Sequence, residues 1–267
     1  MVRFCLGRGR TANRPGRFAV KLVDVERLKS RQPPRPSVVW SVVAAELAAS
    51  PPDGSWRILD VGGGTGGFAV PLAEAGFQVT VVDTSPNALA GLVRRATEAG
   101  VAESITAMQG DADALASLVE PDSVRLVLCH SVLEMVDSPT EVTKAIASVL
   151  QPGGAASILV ANRAGAVLSR ALGGNLTAAM TVLADAEGRS GERDTLLRRF
   201  DPDTLAGLMA TANLEIHQMH GVNVVADVVG GESTSEGALH DFELAVAATS
   251  PYRDIATGLH VLVHKNT

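Results

Sequence analysis

Arg57-Ile58-Leu59-Asp60-Val61-Gly62-Gly63-Gly64-Thr65-Gly66 is the stretch that decides the fold of this chain. An apolar run ends in a carboxylate and breaks into four glycines within five positions, and Gly67 to Ala75 then reads as helix. The pattern predicts a buried parallel strand, a tight turn that glycine alone makes easily, and a helix whose N-terminus faces a bound molecule. A second apolar run, Val79-Thr80-Val81-Val82, ends in Asp83. A carboxylate at a second strand tip is where the two hydroxyls of a nucleotide ribose are held.

Outward from this core the same rhythm repeats. Strands are expected at 57–61, 78–82, 104–108, 124–129 and 155–161, with helices at 66–75, 86–99, 112–119 and 139–150 between them. Strands alternating with helices through short turns predict a doubly wound α/β fold with a parallel sheet. A helix at 37–49 precedes it, with Val38, Val39, Val42, Val43 and Leu47 on its apolar face. Residues 162–200 break the rhythm, with helices expected at 166–172 and 176–186 and a loose polar stretch at 187–194. An insertion after a strand's carboxyl end lies over the ligand crevice, where it serves as a substrate lid or as packing. A helix at 202–212 capped by Asp201, a strand at 214–225, a helix at 237–248 and a last strand at 260–264 complete the chain.

The length of 267 residues suits one large domain, here 35–267 with its insertion at about 162–200. Hydrophobic residues make up 46% and aromatics only 3%, so Val, Leu and Ala must build a core of the kind found under a sheet covered on both faces. Cys5 and Cys129 have neither metal nor disulfide spacing, so no metal is expected and a reducing cytoplasm fits. No apolar run approaches the roughly 20 residues of a membrane span, and no membrane partner is expected. Residues 1–35 hold ten Lys/Arg against two acids, a charge of +8, so the remainder carries −14 of the net −6. Residues 1–34 therefore read as a basic tail, either disordered or a phosphate-attracting arm for RNA.

Three ligands compete for the glycine turn. A dinucleotide site wants Gly-x-Gly-x-x-Gly, which Gly62-Gly63-Gly64-Thr65-Gly66 lacks, and a phosphate loop wants Lys after its glycines, which is absent. With Asp60 before the glycines, Asp83-Thr84 after strand two, Gly110-Asp111-Ala112-Asp113 after strand three and Leu150-Gln151-Pro152-Gly153-Gly154 before strand five, the chain resembles the S-adenosylmethionine-dependent methyltransferases of the Rossmann-like class. The resemblance implies a mostly parallel seven-stranded sheet with an antiparallel last strand, and S-adenosyl-L-methionine as cofactor. It assigns Gly62, Gly63 and Gly64 to close approach of the methionine portion, Asp83 to the ribose, and Thr84 to the cofactor-binding residues. Asp111 or Asp113 would accept from the adenine amino group, and the Ala112 amide would donate to a ring nitrogen. Asp60 holds the ammonium group, orients the loop or caps the turn.

A narrower resemblance extends over most of 35–265, to the bacterial tRNA methyltransferases that esterify 5-carboxymethoxyuridine at the wobble position. It rests on Arg35-x4-Trp40, His130-Ser131-Val132-Leu133-Glu134, Asn162, Gly174-Asn175 and Gly221-Val222. It implies that Arg35 reaches the cofactor carboxylate and that His130 lies beside the cofactor. The chain departs from that group where a lysine-rich loop is expected (Ala184 to Arg189) and where ring-bearing or basic residues are expected (Ala161, Asn223, Ala226, Val228). Arg193, Arg198 and Arg199 either replace that charge or form an ordinary solvated helix start.

A carboxylate acceptor needs no base for methyl transfer, whereas a hydroxyl or ring nitrogen does. His130 is then the candidate base, or else it holds the cofactor or the loop. Glu134, four residues on, shares a face with His130 if 131–136 is a helical turn, and would orient the imidazole or cap the next element. The acceptor is expected to be an oxygen of a modified tRNA uridine, or else an oxygen or nitrogen of a small molecule, with a cofactor-binding protein that has lost catalysis as the third reading. Monomer and homodimer both remain open.

Overall fold

The computed structural model describes residues 37–49, 56–227 and 236–266. The basic tail, Cys5, Arg35 and Val228 lie outside the described residues. Helix α1 (Ser37–Ala49) precedes β1 (Arg57–Val61), α2 (Ala69–Glu74), β2 (Gln78–Asp83), α3 (Pro86–Glu98) and β3 (Ile105–Gln109). There follow α4 (Leu115–Leu118), β4 (Val124–His130), α5 (Pro139–Val149) and β5 (Leu150–Ala161). The insertion carries α6 (Arg163–Leu172) and α7 (Leu176–Ala184), and the chain closes with α8 (Pro202–Thr211), β6 (Leu214–Val222), α9 (Glu236–Val246), α10 (Tyr252–Ile255) and β7 (Gly258–Lys265).

The seven strands lie in the order β3-β2-β1-β4-β5-β7-β6. β1 pairs in parallel with β2 on one side and β4 on the other, so the strand order reverses direction beside β1. That reversal opens a crevice at the carboxyl ends of the strands. The last strand, β7, inserts between β5 and β6 and runs antiparallel to both. Apolar side chains alternate to the two faces of the strands and build two cores. On one face Ile58, Val79, Val81, Leu126 and Leu128 pack under α1, α2 and α3; on the other Leu59, Val61, Val127 and Ile158 pack under α5 and α8. Among the described residues no helix is long and apolar enough to cross a membrane.

Helix starts follow local chemistry. Ser85 accepts the amide of Ala88 before Pro86, and Asp201 and Thr204 form a reciprocal cap at α8; such a cap contributes about 1 kcal/mol. Among the boundaries that differ from expectation, three have a local cause. α2 starts at Ala69, not Gly66, because Gly62, Gly64 and Gly66 all take positive φ and carry the turn further. The helix expected over 112–119 is split into a 3-10 turn (Ala112–Ala114) and the single turn α4. β5 begins at Leu150, not Ala155: Leu150 already pairs with Val124, and the Pro152-Gly153-Gly154 segment bulges within the strand before Ala155 pairs with Leu126.

Candidate active site

A cavity of about 560 Å³ lies at the carboxyl ends of β1 to β4. Four strand exits line it: Val61 and Gly62; Val82, Asp83 and Thr84; Gly110 to Asp113; and Ser131, Val132 and Met135 to Ser138. The residues expected at three separate strand tips are thus brought to one crevice. Among the described residues the lining carries four carboxylates, Asp83, Asp111, Asp113 and Asp137, and no Lys or Arg. Such a wall favours a cation and disfavours a ligand bearing phosphates.

Asp83 is held before any ligand arrives. One carboxylate oxygen accepts the Gly64 amide at 2.9 Å and the other accepts the Ser85 amide at 2.8 Å. Each oxygen retains acceptor capacity for a further donor. The glycine turn is close-packed: a Cβ on Gly62 would lie 2.5 Å from Val132 Cγ2, and one on Gly63 would lie 2.5 Å from the Asp60 carboxyl. Gly63 thus packs on the Asp60 carboxyl rather than facing open space.

Asp60, next to last in β1, is buried at 3% exposure. Its Oδ2 has no hydrogen-bond partner among the described residues. Burial, with the nearby Asp83 charge adding to it, pushes its carboxyl up to about 7. A buried carboxylate with a free oxygen is a site that a cation would complete.

His130 ends β4, next to Ser131, which takes a left-handed φ of 57°. Its Nε2 lies 2.9 Å from Ser157 Oγ, whereas its Nδ1 is buried with no partner among the described residues. Phe68 packs edge-on against the ring at 4.6 Å and stacks in turn on Trp40 at 4.5 Å. Burial depresses the imidazole to about 3, opposed in part by the Ser157 contact.

Two expectations are corrected. Residues 131–136 do not form the helical turn that would place Glu134 on the face of His130. Glu134 instead accepts the Ala161 amide at 3.2 Å, while its carbonyl accepts the Leu197 amide, so it ties the loop after β4 to β5 and to the insertion. Burial raises its carboxyl, against the pull of its own and the Ala161 amides and of Arg199. Nor do Arg198 and Arg199 form a solvated helix start. Arg198 donates to the carbonyls of Leu133, Val136 and Asp137. Arg199 donates to Asp194 at 2.5 Å, with both side chains under 10% exposed. Asp194 is held below the ordinary carboxylate range: burial opposes this, but hydrogen bonds from Arg199 and from the Ser190 and Leu196 amides prevail. Arg193 stays exposed. Asn162 is likewise structural, donating to the carbonyls of Asp254 and Ala256 and capping α6. No group of three or more metal-ligating side chains occurs among the described residues.

A doubly wound sheet with acidic strand tips, a glycine turn and a cation-accepting crevice defines a nucleoside-binding α/β enzyme. The description "Methyltransferase domain" matches residues 25–219, and the chain belongs to that family, with S-adenosyl-L-methionine as its cofactor. The chain is 28% identical over 234 residues, 86% of its length and 88% of the relative's, to the tRNA 5-carboxymethoxyuridine methyltransferase of Escherichia coli K12. It is 34% identical over 167 residues, 62% of this chain and 66% of the relative, to the ubiquinone biosynthesis O-methyltransferase of Ralstonia nicotianae. In fold it is similar to an S-adenosylmethionine-dependent methyltransferase of Mesorhizobium loti, with TM-score 0.59, 20% identity and coverage of 89% of this chain and all of the other. The [4+2]-cyclase SpnF shares the fold at TM-score 0.57 and 18% identity, covering 85% and 81% of the two chains. The residues present fit the cofactor. Its sulfonium and ammonium charges suit the acidic wall, and Asp60, one residue before the lining Val61, holds a buried oxygen without a partner among the described residues.

Proposed function

We propose that this enzyme methylates an oxygen of a small, hydroxyl-bearing acceptor. When bound, the cofactor supplies an electrophilic methyl group on sulfur. Asp83, with Thr84 beside it, would hold the ribose; Asp111 or Asp113, with the Ala112 amide, the adenine; Gly62, Gly63 and Gly64 the methionine portion; and Asp60 the ammonium group. Arg35, the proposed partner of the cofactor carboxylate, lies outside the described residues. Fixing two reactants in line lowers the barrier by on the order of 7–11 kcal/mol, so alignment is the main work of these side chains.

The observation that carries the choice of acceptor is the unpartnered, buried Nδ1 of His130 at the end of β4. An imidazole nitrogen without a protein partner, one residue before the cavity-lining Ser131, is suited to accept a hydroxyl proton, which a carboxylate acceptor does not have. The insertion points the same way: Arg198 and Arg199 are committed to carbonyls and to Asp194, so neither is free to pair with an RNA phosphate or an anionic base. Glu134 supports the loop and is a positioning residue in this reading.

A second reading, methyl esterification of a carboxymethoxyuridine in tRNA, is favoured by the similarity to the Escherichia coli enzyme along 86% of this chain. Labelled methyl transfer into fractionated small RNA and small metabolites, both from a strain lacking this protein, separates the two. Label in the metabolite fraction supports the small acceptor, and label confined to RNA replaces it with the second reading.

A further inference from the structure

A line of polar side chains crosses the sheet from the candidate site to its far edge, on the face otherwise filled by Leu126, Leu128, Ala155 and Leu262. His130 Nε2 on β4 is 2.9 Å from Ser157 Oγ on β5, and that hydroxyl is 2.8 Å from His260 Nε2 on β7. His260 Nδ1 then lies 3.5 Å from Nδ1 of His220 on β6, the edge strand. Ser157 and His260 are wholly buried, while His220 is only half-buried. Placing a serine and a histidine in the centre of an apolar sheet face is costly unless each is hydrogen-bonded. None of the three is used by the cofactor-binding residues described above.

We propose that Ser157, His260 and His220 form a proton wire that connects the His130 imidazole to the edge of the sheet. The proposal deepens the preceding reading and rests on it, because the acceptor must give up a proton. A serine hydroxyl carries one hydrogen, so between two ring nitrogens it accepts from one and donates to the other. The tautomers of His130 and His260 are thereby coupled. In the resting arrangement His130 Nε2–H donates to Ser157, Ser157 donates to His260 Nε2, and His260 Nδ1–H faces His220 Nδ1. That leaves His130 Nδ1 with a lone pair, in keeping with its lack of a partner.

During transfer the acceptor oxygen bonds to the methyl carbon as the carbon–sulfur bond breaks, its pair leaving on sulfur; the O–H bond also breaks, its pair stays on oxygen, and the proton bonds to His130 Nδ1. The Nε2 proton of His130 passes to Ser157, the hydroxyl proton of Ser157 to His260 Nε2, and the Nδ1 proton of His260 to His220. His130, Ser157 and His260 end neutral, and His220 releases the surplus proton from its Nε2 to water. After product leaves, a water that takes its place beside the half-buried His130 ring accepts the Nδ1 proton, the hops reverse, and His220 recovers one proton from solvent. One proton is released per turnover. The wire answers a physical difficulty: burial holds the His130 and His260 imidazoles far below their ordinary range, so neither can keep a positive charge. Burial and the Arg253 charge also depress His220, which favours release once the proton arrives.

The test is ¹⁵N spectroscopy of histidine rings in the full chain, with S-adenosylhomocysteine bound as an unreactive probe. The expected spectrum has His130 protonated at Nε2 and bare at Nδ1, and His260 protonated at Nδ1 and bare at Nε2. Ser157→Ala should convert His130 from one tautomer to a mixture, Ser157→Thr should restore it, and His217, which stacks on His264 outside the wire, should not change. A wild-type His130 protonated at Nδ1, or a His130 signal indifferent to Ser157→Ala, overturns the proposal. The tautomers are read without an acceptor, so failure here is distinct from failure of the small-acceptor reading, which appears only in the labelling experiment.

Discussion

Replacing Asp60 by asparagine should stabilise the cofactor-free protein above neutral pH while weakening its hold on the cofactor. Burial first, and the Asp83 charge second, raise the Asp60 carboxyl from 3.8 to about 7. Below pH 3.8 the group is protonated whether the chain is folded or not, and it contributes no pH dependence. Between 3.8 and 7 the folded state keeps a proton that the unfolded state has lost, so wild-type stability falls as pH rises. Above 7 both states are ionised and the full cost remains. About three pH units at about 1.4 kcal/mol each give a cost of about 4 kcal/mol, an upper bound because an ionising carboxylate draws in water. The buried His130 titrates with the opposite sign, its folded value being depressed to about 3, so the quantity to read is the difference between variant and wild type. Urea denaturation at half-unit steps from pH 4 to 8 should show Asp60→Asn gaining on the wild type up to pH 7 and then levelling. Calorimetry should show wild-type affinity for S-adenosylmethionine climbing over the same window, as binding expels the Asp60 proton, and the variant lacking that climb. A stability gap that does not grow with pH between 4 and 7 would refute the assignment of a neutralised, orphaned carboxylate.

Asp83→Ala should abolish cofactor binding, since it removes the ribose acceptor and also leaves the Gly64 and Ser85 amides unpaired; unchanged affinity in calorimetry would count against it. Arg199→Met should destabilise the fold by about 3 kcal/mol, the low end for breaking a buried ion pair from one side, because Asp194 would be left charged beside the insertion; thermal unfolding reads this directly. His130→Gln should lower kcat by about 10²–10⁴ with a hydroxyl acceptor while leaving cofactor affinity close to wild type; an unaltered kcat would exclude a role as base.

What could be read from the sequence was local. Asp60 with its glycines, Asp83 and Asp111 to Asp113 each end a strand within a few residues of an apolar run, and parallel strands necessarily bring their carboxyl ends together. The place of β7 between β5 and β6 is a long-range pairing that local pattern does not reveal; only its antiparallel direction was expected, and that from resemblance. Ser157 and His260 were missed because they are 103 residues apart in the chain and look like stray polar residues in apolar strands; the signal available was that such a residue in a central strand needs a partner. Arg198 was misjudged because its acceptors are carbonyls some 60 residues earlier, which no side-chain pattern reveals. Glu134 was misjudged through helical spacing, since the left-handed Ser131 prevents a helical turn from continuing out of β4.

A crystal soaked with S-adenosylmethionine measures the central matter most directly. Density should fill the crevice beyond β1 to β4, with the ribose hydroxyls on Asp83, the adenine beside Asp111 to Asp113 and the ammonium group at Asp60. A crevice that stays empty under saturating cofactor, or that takes a nicotinamide dinucleotide or a nucleoside triphosphate in its place, would contradict it.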